Sequence, residues 1–426
     1  MKIRAFRIPS REAEAHLALL ARRSRGLFDG EASETAERAL AEIRAGGDRA
    51  LNRWRRRHDG VAGPARAKPR PGGVGKEFRR AFEESLERLT AFHSLQATPA
   101  ARLRIAGSLL EERVFPLDSV GVYIPGGEAP YASTALMTIL PARLAGVPRI
   151  AVATPPAAYD GSDELRYVLA RLGVTEVYRM GGAHAIAALA VGTRSIPGVA
   201  KIVGPGNRFV TAAKRAVTGL VGIDGLAGPT EVAVFADGAA DPERVAADLL
   251  AQAEHDLEAA AVLVTTSARL GERVAAAIAR RLPDLPTRKR AARALARYGA
   301  IGVAASVRAA AAFLERFAPE HLGIQTKRGF ADAGLFRRAG AIFAGGASSE
   351  VFGDYVAGTN HVLPTNGTAR FASALSVRDF VRRMPVVRLS DRDAARLAPV
   401  AQIWARAEGL PAHGAAAALR GDRGAR

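Results

Sequence analysis

From residue 120 onward the apolar positions switch repeatedly between a short strand-like period and a helical one. A β-branched run at 120–124 ends in Pro125-Gly126-Gly127, and helical periodicity follows at 132–144. The runs at 149–153, 176–180 and 201–203 end in Thr154-Pro155-Pro156, Gly181-Gly182 and Gly204-Pro205-Gly206-Asn207. Each is followed by a helical stretch, at 164–172, 183–190 and 209–217. Strand, Gly-rich turn and helix in repetition predict a parallel sheet with crossover helices. The turns fall at strand carboxyl ends, where such sheets bind ligands.

The alternation returns after 230, with strands at 231–236, 259–265, 300–304 and 341–343 and helices at 242–252, 271–282 and 306–317. Two consecutive α/β units predict two similar domains with a cleft between them. Before them, 10–58 reads as helices, with Ser10 as N-cap and Leu17, Leu20, Ala36, Leu40, Ile43 and Leu51 at near-helical spacing. Residues 60–75 form a basic Pro/Gly loop, and 77–94 is an amphipathic helix with Phe78, Phe82, Leu86, Leu89 and Phe92 on one side. The tail, 372–426, reads as mostly helical and too short to fold alone, so it is expected to pack on something else, such as another subunit.

At 426 residues and 48% hydrophobic, the composition is that of a globular protein with real cores. The longest apolar stretch, 135–147, is broken by Pro141 and Arg143, so no membrane span is expected. The N-terminus has no apolar signal core, which predicts a cytoplasmic location. The absence of cysteine excludes disulfides, thiolate zinc sites and cysteine nucleophiles. A net charge of +19 raises the question of nucleic acid. The basic clusters at 53–57, 66–70 and 288–297 are scattered, however, and only Trp54 lies within one, so nucleic-acid binding is not expected.

Four polar stretches carry candidate chemistry. Residues 353–370 place Asp354, Tyr355, Asn360, His361, Thr365 and Asn366 between turn-forming glycines, which suits a wall that approaches a ligand closely; an ordinary Asx/Gly loop fits as well. Gln252 and His255, three apart on a helix, leave the same face and could fill two positions around Zn²⁺, although a hydrogen-bonded surface histidine has the same spacing. Glu320-His321 follows a proline just after a helix, presenting either an acid/base pair or a charged turn. Glu408–His413, EGLPAH, is the fourth, or a plain helix end. His16, His58 and His93 read as structural or exposed.

Taken together, GVYIPGG (121–127), GGAHAIAALAVGT (181–193), KIVGPGNRFVTAAK (201–214), AGPTEVAVFAD (227–237), LLAQAEHD (249–256), APEHL (318–322), GDYVAGTNHVLPT (353–365) and AEGLPAH (407–413) resemble the L-histidinol dehydrogenase family, in its order and register. The resemblance extends from about Ala36, through GGDRAL (46–51), to Arg420. It implies two incomplete Rossmann-like domains with parallel sheets plus small helical terminal segments. The boundaries implied are 1–30, 31–115 (first part of the catalytic domain), 116–235 (NAD-binding), 236–371 (second Rossmann-like domain) and 372–426. It implies a homodimer in which the tail reaches the partner's site, one Zn²⁺ per site, and NAD as oxidant. The zinc ligands implied are Gln252, His255, Asp354 and His413, and the acid/base pair is Glu320 and His321. Tyr123, His184 and Asn207 fall at cofactor positions. Thr230, Gln252, His255, His321, Asp354, Glu408 and His413 fall at positions for L-histidinol.

The reaction implied is two successive hydride transfers, alcohol to aldehyde to acid, with His321 as base and Glu320 activating water. Departures are His184 for the family's usual Gln, Thr230 for Ser, and Leu257-Glu258 for Pro-Asp, and no GxGxxG is present. The alternatives are a dehydrogenase of another polar alcohol on the same scaffold and a basic nucleic-acid binder.

Overall fold

The computed structural model describes residues 3–23, 30–68, 70–126 and 131–421. Gly127 of the first predicted turn, Pro69 of the basic loop and the tail beyond 421 lie outside the described residues. The chain divides into two compact units, Met1–Gln96 with Asp118–Asp379, and Ala97–Leu117 with Phe380–Arg426.

The first unit contains two parallel sheets. One has the order Glu176–Arg179, Arg149–Thr154, Ser119–Tyr123, Lys201–Val203, Gly222–Ile223. The other runs Arg4–Ile8, Ala300–Ala304, Ala260–Thr265, Glu231–Ala236, His321–Gln325, Ala341–Ala344. This is the expected α/β architecture. Glu231–Ala236 and Ala260–Thr265 are buried along their whole length, as strands covered on both faces must be. In the five-stranded sheet the chain first moves outward from Ser119–Tyr123, then returns to Lys201–Val203 on its other side. That places a topological switch point between these two strands.

Several elements differ from the sequence reading. The N-terminal segment is not only helical, because Arg4–Ile8 pairs in parallel with Ala300–Ala304 and buries Phe6 and Ile8. Its arginines hid a strand that buries one face only. APEHL does follow a helix, Val307–Phe317, and Ala318–Glu320 bend away from it, but the turn is short. Its His321 opens the buried strand His321–Gln325, flanked on both sides by other strands. The basic cluster near 290 is a helix, Arg288–Tyr298, which buries Ala291, Ala294 and Leu295 on its inner face.

The second unit is an antiparallel sheet, Val381–Arg388, Ser108–Pro116, Ala101–Ile105, followed by helices Asp391–Ala407 and Pro411–Gly421. The tail is therefore less helical than expected. VRRMPVVR at 381–388 alternates too weakly, and is too exposed, to announce itself as a strand. Buried Asp393 holds the unit together: it accepts from Ser108 Oγ at 2.7 Å and pairs with Arg396 Nη2 at 2.7 Å.

Candidate active site

The predicted site residues of the first unit gather at the carboxyl ends of the five-stranded sheet and the amino ends of the six-stranded sheet. At the carboxyl ends the polypeptide contributes mostly backbone. Tyr123 ends its strand, buried, and its phenol oxygen accepts from Gly182 N–H at 3.1 Å. Burial pushes its hydroxyl up to about 12. Asp59 accepts from Gly181 N–H at 3.2 Å and from His184 Nε2 at 2.8 Å. His184 lies beside Trp54, ring centroids 6.0 Å apart, and Trp54 stacks on His58 at 4.9 Å. His184, predicted at a cofactor position, is buried and holds the Gly181-Gly182 turn through Asp59.

The next turn approaches still more closely. Gly204 has φ +114°, and a Cβ there would stand 2.1 Å from the Tyr123 carbonyl oxygen. Both of its backbone groups are clamped. Its N–H donates to Asp224 Oδ2 at 2.7 Å, and its carbonyl accepts from buried Lys214 Nζ at 3.0 Å, while Lys214 also pairs with Asp224. Asn207 caps the helix Arg208–Val217, its Oδ1 accepting from Phe209 N at 3.1 Å and Val210 N at 3.2 Å. Its amide NH₂ is the remaining side-chain donor.

At the amino ends of the six-stranded sheet the contribution is charge. His321 Nδ1 lies 2.9 Å from the Glu231 carbonyl, which makes Nδ1 the protonated nitrogen. The other nitrogen, Nε2, is buried without a hydrogen-bond partner and lies 3.7 Å from Asp354 Oδ1. Glu320 Oε2 accepts from Thr230 O–H at 2.5 Å and from Glu231 N–H at 2.9 Å. Thr230 Oγ1 in turn accepts from Gln252 Nε2 at 2.9 Å, which leaves the Gln252 carbonyl oxygen for another partner. His255 Nε2 stands 3.9 Å from Asp354 Oδ2, too far for a hydrogen bond. Asp354 lies on the short helix Glu350–Tyr355, not in a loop. Gly353 before it lets the Phe343 ring approach, since a Cβ would stand 2.5 Å from ring atoms, and that ring packs 6.0 Å from His321. His361 Nδ1 lies 2.9 Å from the Asp354 carbonyl.

Buried carboxylates surround this cluster. Burial pushes Glu231 up to about 7 despite Arg23 beside it. Burial likewise lifts Asp248 to about 6 and Glu350 to about 8. Burial opposes a charge on His321, but the Glu320 and Asp354 carboxylates outweigh it and raise the imidazole to about 9. Asp354 is held below the usual range by His321, against its own burial. Asp248 ties three elements of the site together. It sits one helical turn before Gln252, accepts from Gln325 Nε2 at 2.6 Å at the far end of the His321 strand, and accepts from Ser349 Oγ at 2.8 Å at the cap of the Asp354 helix.

Thr230, Gln252, His255, Glu320, His321 and Asp354 are thus brought together, while Glu408 and His413 lie exposed in the second unit. Among the described residues, no group of three or more His, Asp or Glu is arranged to hold a metal ion. The sequence reading missed Arg23, Glu231, Asp248 and Glu350, and nothing in their spacing singled them out. Of the two roles read for His16 and His93, structural or exposed, the structural one holds, since both are buried. His93 Nδ1 is 2.7 Å from Gln96 Oε1, and buried Asn360 donates to the Met137 carbonyl at 2.6 Å.

A family model described as histidinol dehydrogenase matches residues 22–421. The histidinol dehydrogenase of Thermus thermophilus is 44% identical over 403 residues, covering 93% of this chain and 96% of its own length. That of Geobacillus kaustophilus is 43% identical over 394 residues, covering 90% and 93%. The crystal structure of histidinol dehydrogenase from Elizabethkingia anophelis matches with a TM-score of 0.87 at 30% identity, covering 98% of each chain. On the extent of these matches, the chain belongs to the histidinol dehydrogenase family.

Proposed function

We propose that the chain oxidises L-histidinol to L-histidine through L-histidinaldehyde, with NAD as oxidant in both steps, as the last reaction of histidine biosynthesis in the cytoplasm. The observation that carries this reading is the Glu320-His321 pair, a carboxylate and an imidazole on adjacent residues at the amino end of a buried strand, with Asp354 3.7 Å from the imidazole. Each oxidation removes a hydride from carbon and a proton from oxygen. In its neutral form His321 takes the oxygen-bound proton at Nε2, because its Nδ1–H is committed to the Glu231 carbonyl. Between the two oxidations water adds to the aldehyde. Glu320 takes the water's proton while Thr230 O–H and Glu231 N–H hold its Oε2.

When bound, NAD supplies the hydride acceptor and Zn²⁺ a positive charge that orients the substrate. Gln252, His255 and Asp354 would hold the ion, with His413 of the partner subunit. The donor set fits: an amide oxygen, an imidazole and a carboxylate suit Zn²⁺ without thiolates. The 3.9 Å between His255 and Asp354 is close to the roughly 3.4 Å that separates neighbouring ligands of one tetrahedral ion. Asp354 would then share its charge and hold His321 less firmly as imidazolium, leaving it better able to accept a proton. Thr230, Gln252, His255, His321 and Asp354 would receive the substrate, with Glu408 and His413 of the partner subunit. A homodimer also suits the tail helices, whose Ile403, Trp404 and Leu419 are exposed. Tyr123 and Asn207 are assigned to NAD directly, and His184 through Asp59.

The test is NADH formation from L-histidinol with and without a chelator. Two NADH per histidinol, lost on chelation and restored by zinc, are expected. One NADH with free aldehyde would overturn the two-step reading, and none would overturn the substrate.

A further inference from the structure

Glu320 owes its orientation to a segment held by an arginine outside every motif. Arg23 is the C-cap of the helix Arg11–Arg22 and is 5% exposed. Its Nη1 lies 3.1 Å from Glu231 Oε1, and its Nη2 donates to the carbonyls of Pro229 at 2.8 Å and Thr230 at 3.1 Å. One guanidinium therefore grips three consecutive residues as they enter the strand Glu231–Ala236. Glu231 and Glu320 are bonded reciprocally. Glu231 N–H donates to Glu320 Oε2 at 2.9 Å, and Glu320 N–H donates to Glu231 Oε2 at 3.3 Å. The second donor to Glu320, the Thr230 hydroxyl, belongs to the same gripped segment. Two buried carboxylates this close repel unless a countercharge is present. On the Glu231 side that countercharge is Arg23.

We propose that Arg23 and Glu231 are positioning residues for Glu320, and that they act on the aldehyde half of the reaction. The inference rests on the proposed function. The selectivity follows from what holds each member of the acid/base pair. Glu320's carboxylate hangs on Thr230 and Glu231, the segment Arg23 grips. His321 is fixed through the main-chain carbonyl of Glu231 and by its own strand, in register with Val232 and Ala341. Loosening the Arg23–Glu231 pair therefore releases Glu320 first. Glu320 is required where water adds to the aldehyde, whereas hydride exchange between alcohol and aldehyde needs only the His321 proton.

The experiment uses L-histidinal as the one substrate for two reactions of the same enzyme sample. In oxidation, aldehyde, water and NAD⁺ give the acid, NADH and H⁺; in reduction, aldehyde, NADH and H⁺ give the alcohol and NAD⁺. The ratio of the two kcat values is unaffected by any unfolded fraction. Arg23→Gln and Glu231→Gln are expected to lower oxidation about tenfold relative to reduction, as a displaced proton acceptor does. Arg23→Lys, which keeps the charge but loses the fork, is expected to fall between and carries the test if Arg23→Gln does not fold. Glu14→Gln breaks the exposed Glu14–Arg316 pair, which joins the same helix to Val307–Phe317, and is expected to leave the ratio unchanged. Equal losses in both directions for the Arg23 and Glu231 variants, or an equal shift in Glu14→Gln, would overturn the proposal. Wild-type enzyme inert toward L-histidinal in both directions would instead overturn the functional reading, and this inference with it.

Discussion

The two parallel sheets place their candidate site residues at opposite ends and out of different materials. At the carboxyl ends of the five-stranded sheet, glycine turns bring main chain to within contact of Tyr123, and the Lys214–Asp224 ion pair and the Asp59–His184 hydrogen bond hold those turns. At the amino ends of the six-stranded sheet, side chains meet: Glu320 and Asp354 each stand 3.7 Å from His321, with Glu231, Asp248 and Glu350 buried nearby. Backbone can be brought close to an extended cofactor without a desolvation cost, because its groups are already paired. Proton transfer needs groups that can change charge, and these must be buried together to tune one another. One end should therefore be sensitive to added volume, the other to lost charge and to pH.

The largest effect expected is at the charged end. His321→Ala should lower turnover about a thousandfold while leaving bound zinc unchanged, as read by NADH formation and metal analysis. Equal loss of zinc would make His321 a ligand. At the backbone end, Gly204→Ala drives a Cβ toward the Tyr123 carbonyl. It should cost about 3 kcal/mol or more, seen as a lower Tm and weaker NAD binding. Unchanged values would show that the turn is not held as tightly as its hydrogen bonds indicate.

A third test separates the ends by pH. Glu350, pushed up to about 8 by burial, keeps its proton when folded at pH values where the unfolded chain has released it. Stability relative to Glu350→Gln should therefore fall as pH rises from about 5 through 8. Denaturation of both proteins at pH 5 and pH 9, with chelator present, measures the difference, which should be a few kcal/mol. A constant difference would mean that Glu350 is charged throughout. The smallest effects belong to the Gly181-Gly182 turn. Asp59→Ala removes the acceptor of Gly181 N–H and of His184, and should raise the KM for NAD about tenfold. His184→Gln can still donate to Asp59 and should change it less than about threefold.

Much of the framework was legible without coordinates, and the reasons are local. The strands at 201–203, 231–236 and 300–304 and the helix at 132–144 were bounded correctly, because burial on both faces leaves continuous apolar runs between Gly and Pro stops. Arg4–Ile8, Val381–Arg388 and Arg288–Tyr298 were not, because arginine dominates their exposed faces and masks the period of the buried ones. Among the residues that the fold brings together, Glu231 was passed over inside AGPTEVAVFAD, while Thr230, Gln252, His255, Glu320, His321 and Asp354 were named through the family resemblance. Asp248 and Glu350 were not, since an acidic residue on a helix looks the same whether its face meets solvent or another carboxylate.

Local spacing along the chain dictates which segments become strands, helices and Gly-rich turns, because periodicity is a record of which faces are buried. It does not dictate partners. Arg23 reaches Glu231 across 208 residues and Glu231 reaches Glu320 across 89, and the second contact exists only because the sheet order sets Glu231–Ala236 against His321–Gln325. The same order decides that Glu320 and His321 lie at amino ends, not at the carboxyl ends where the turn pattern pointed. Side-chain pairing over such distances depends on the packing of strands that share no sequence neighbourhood, and so it appears only in the folded molecule.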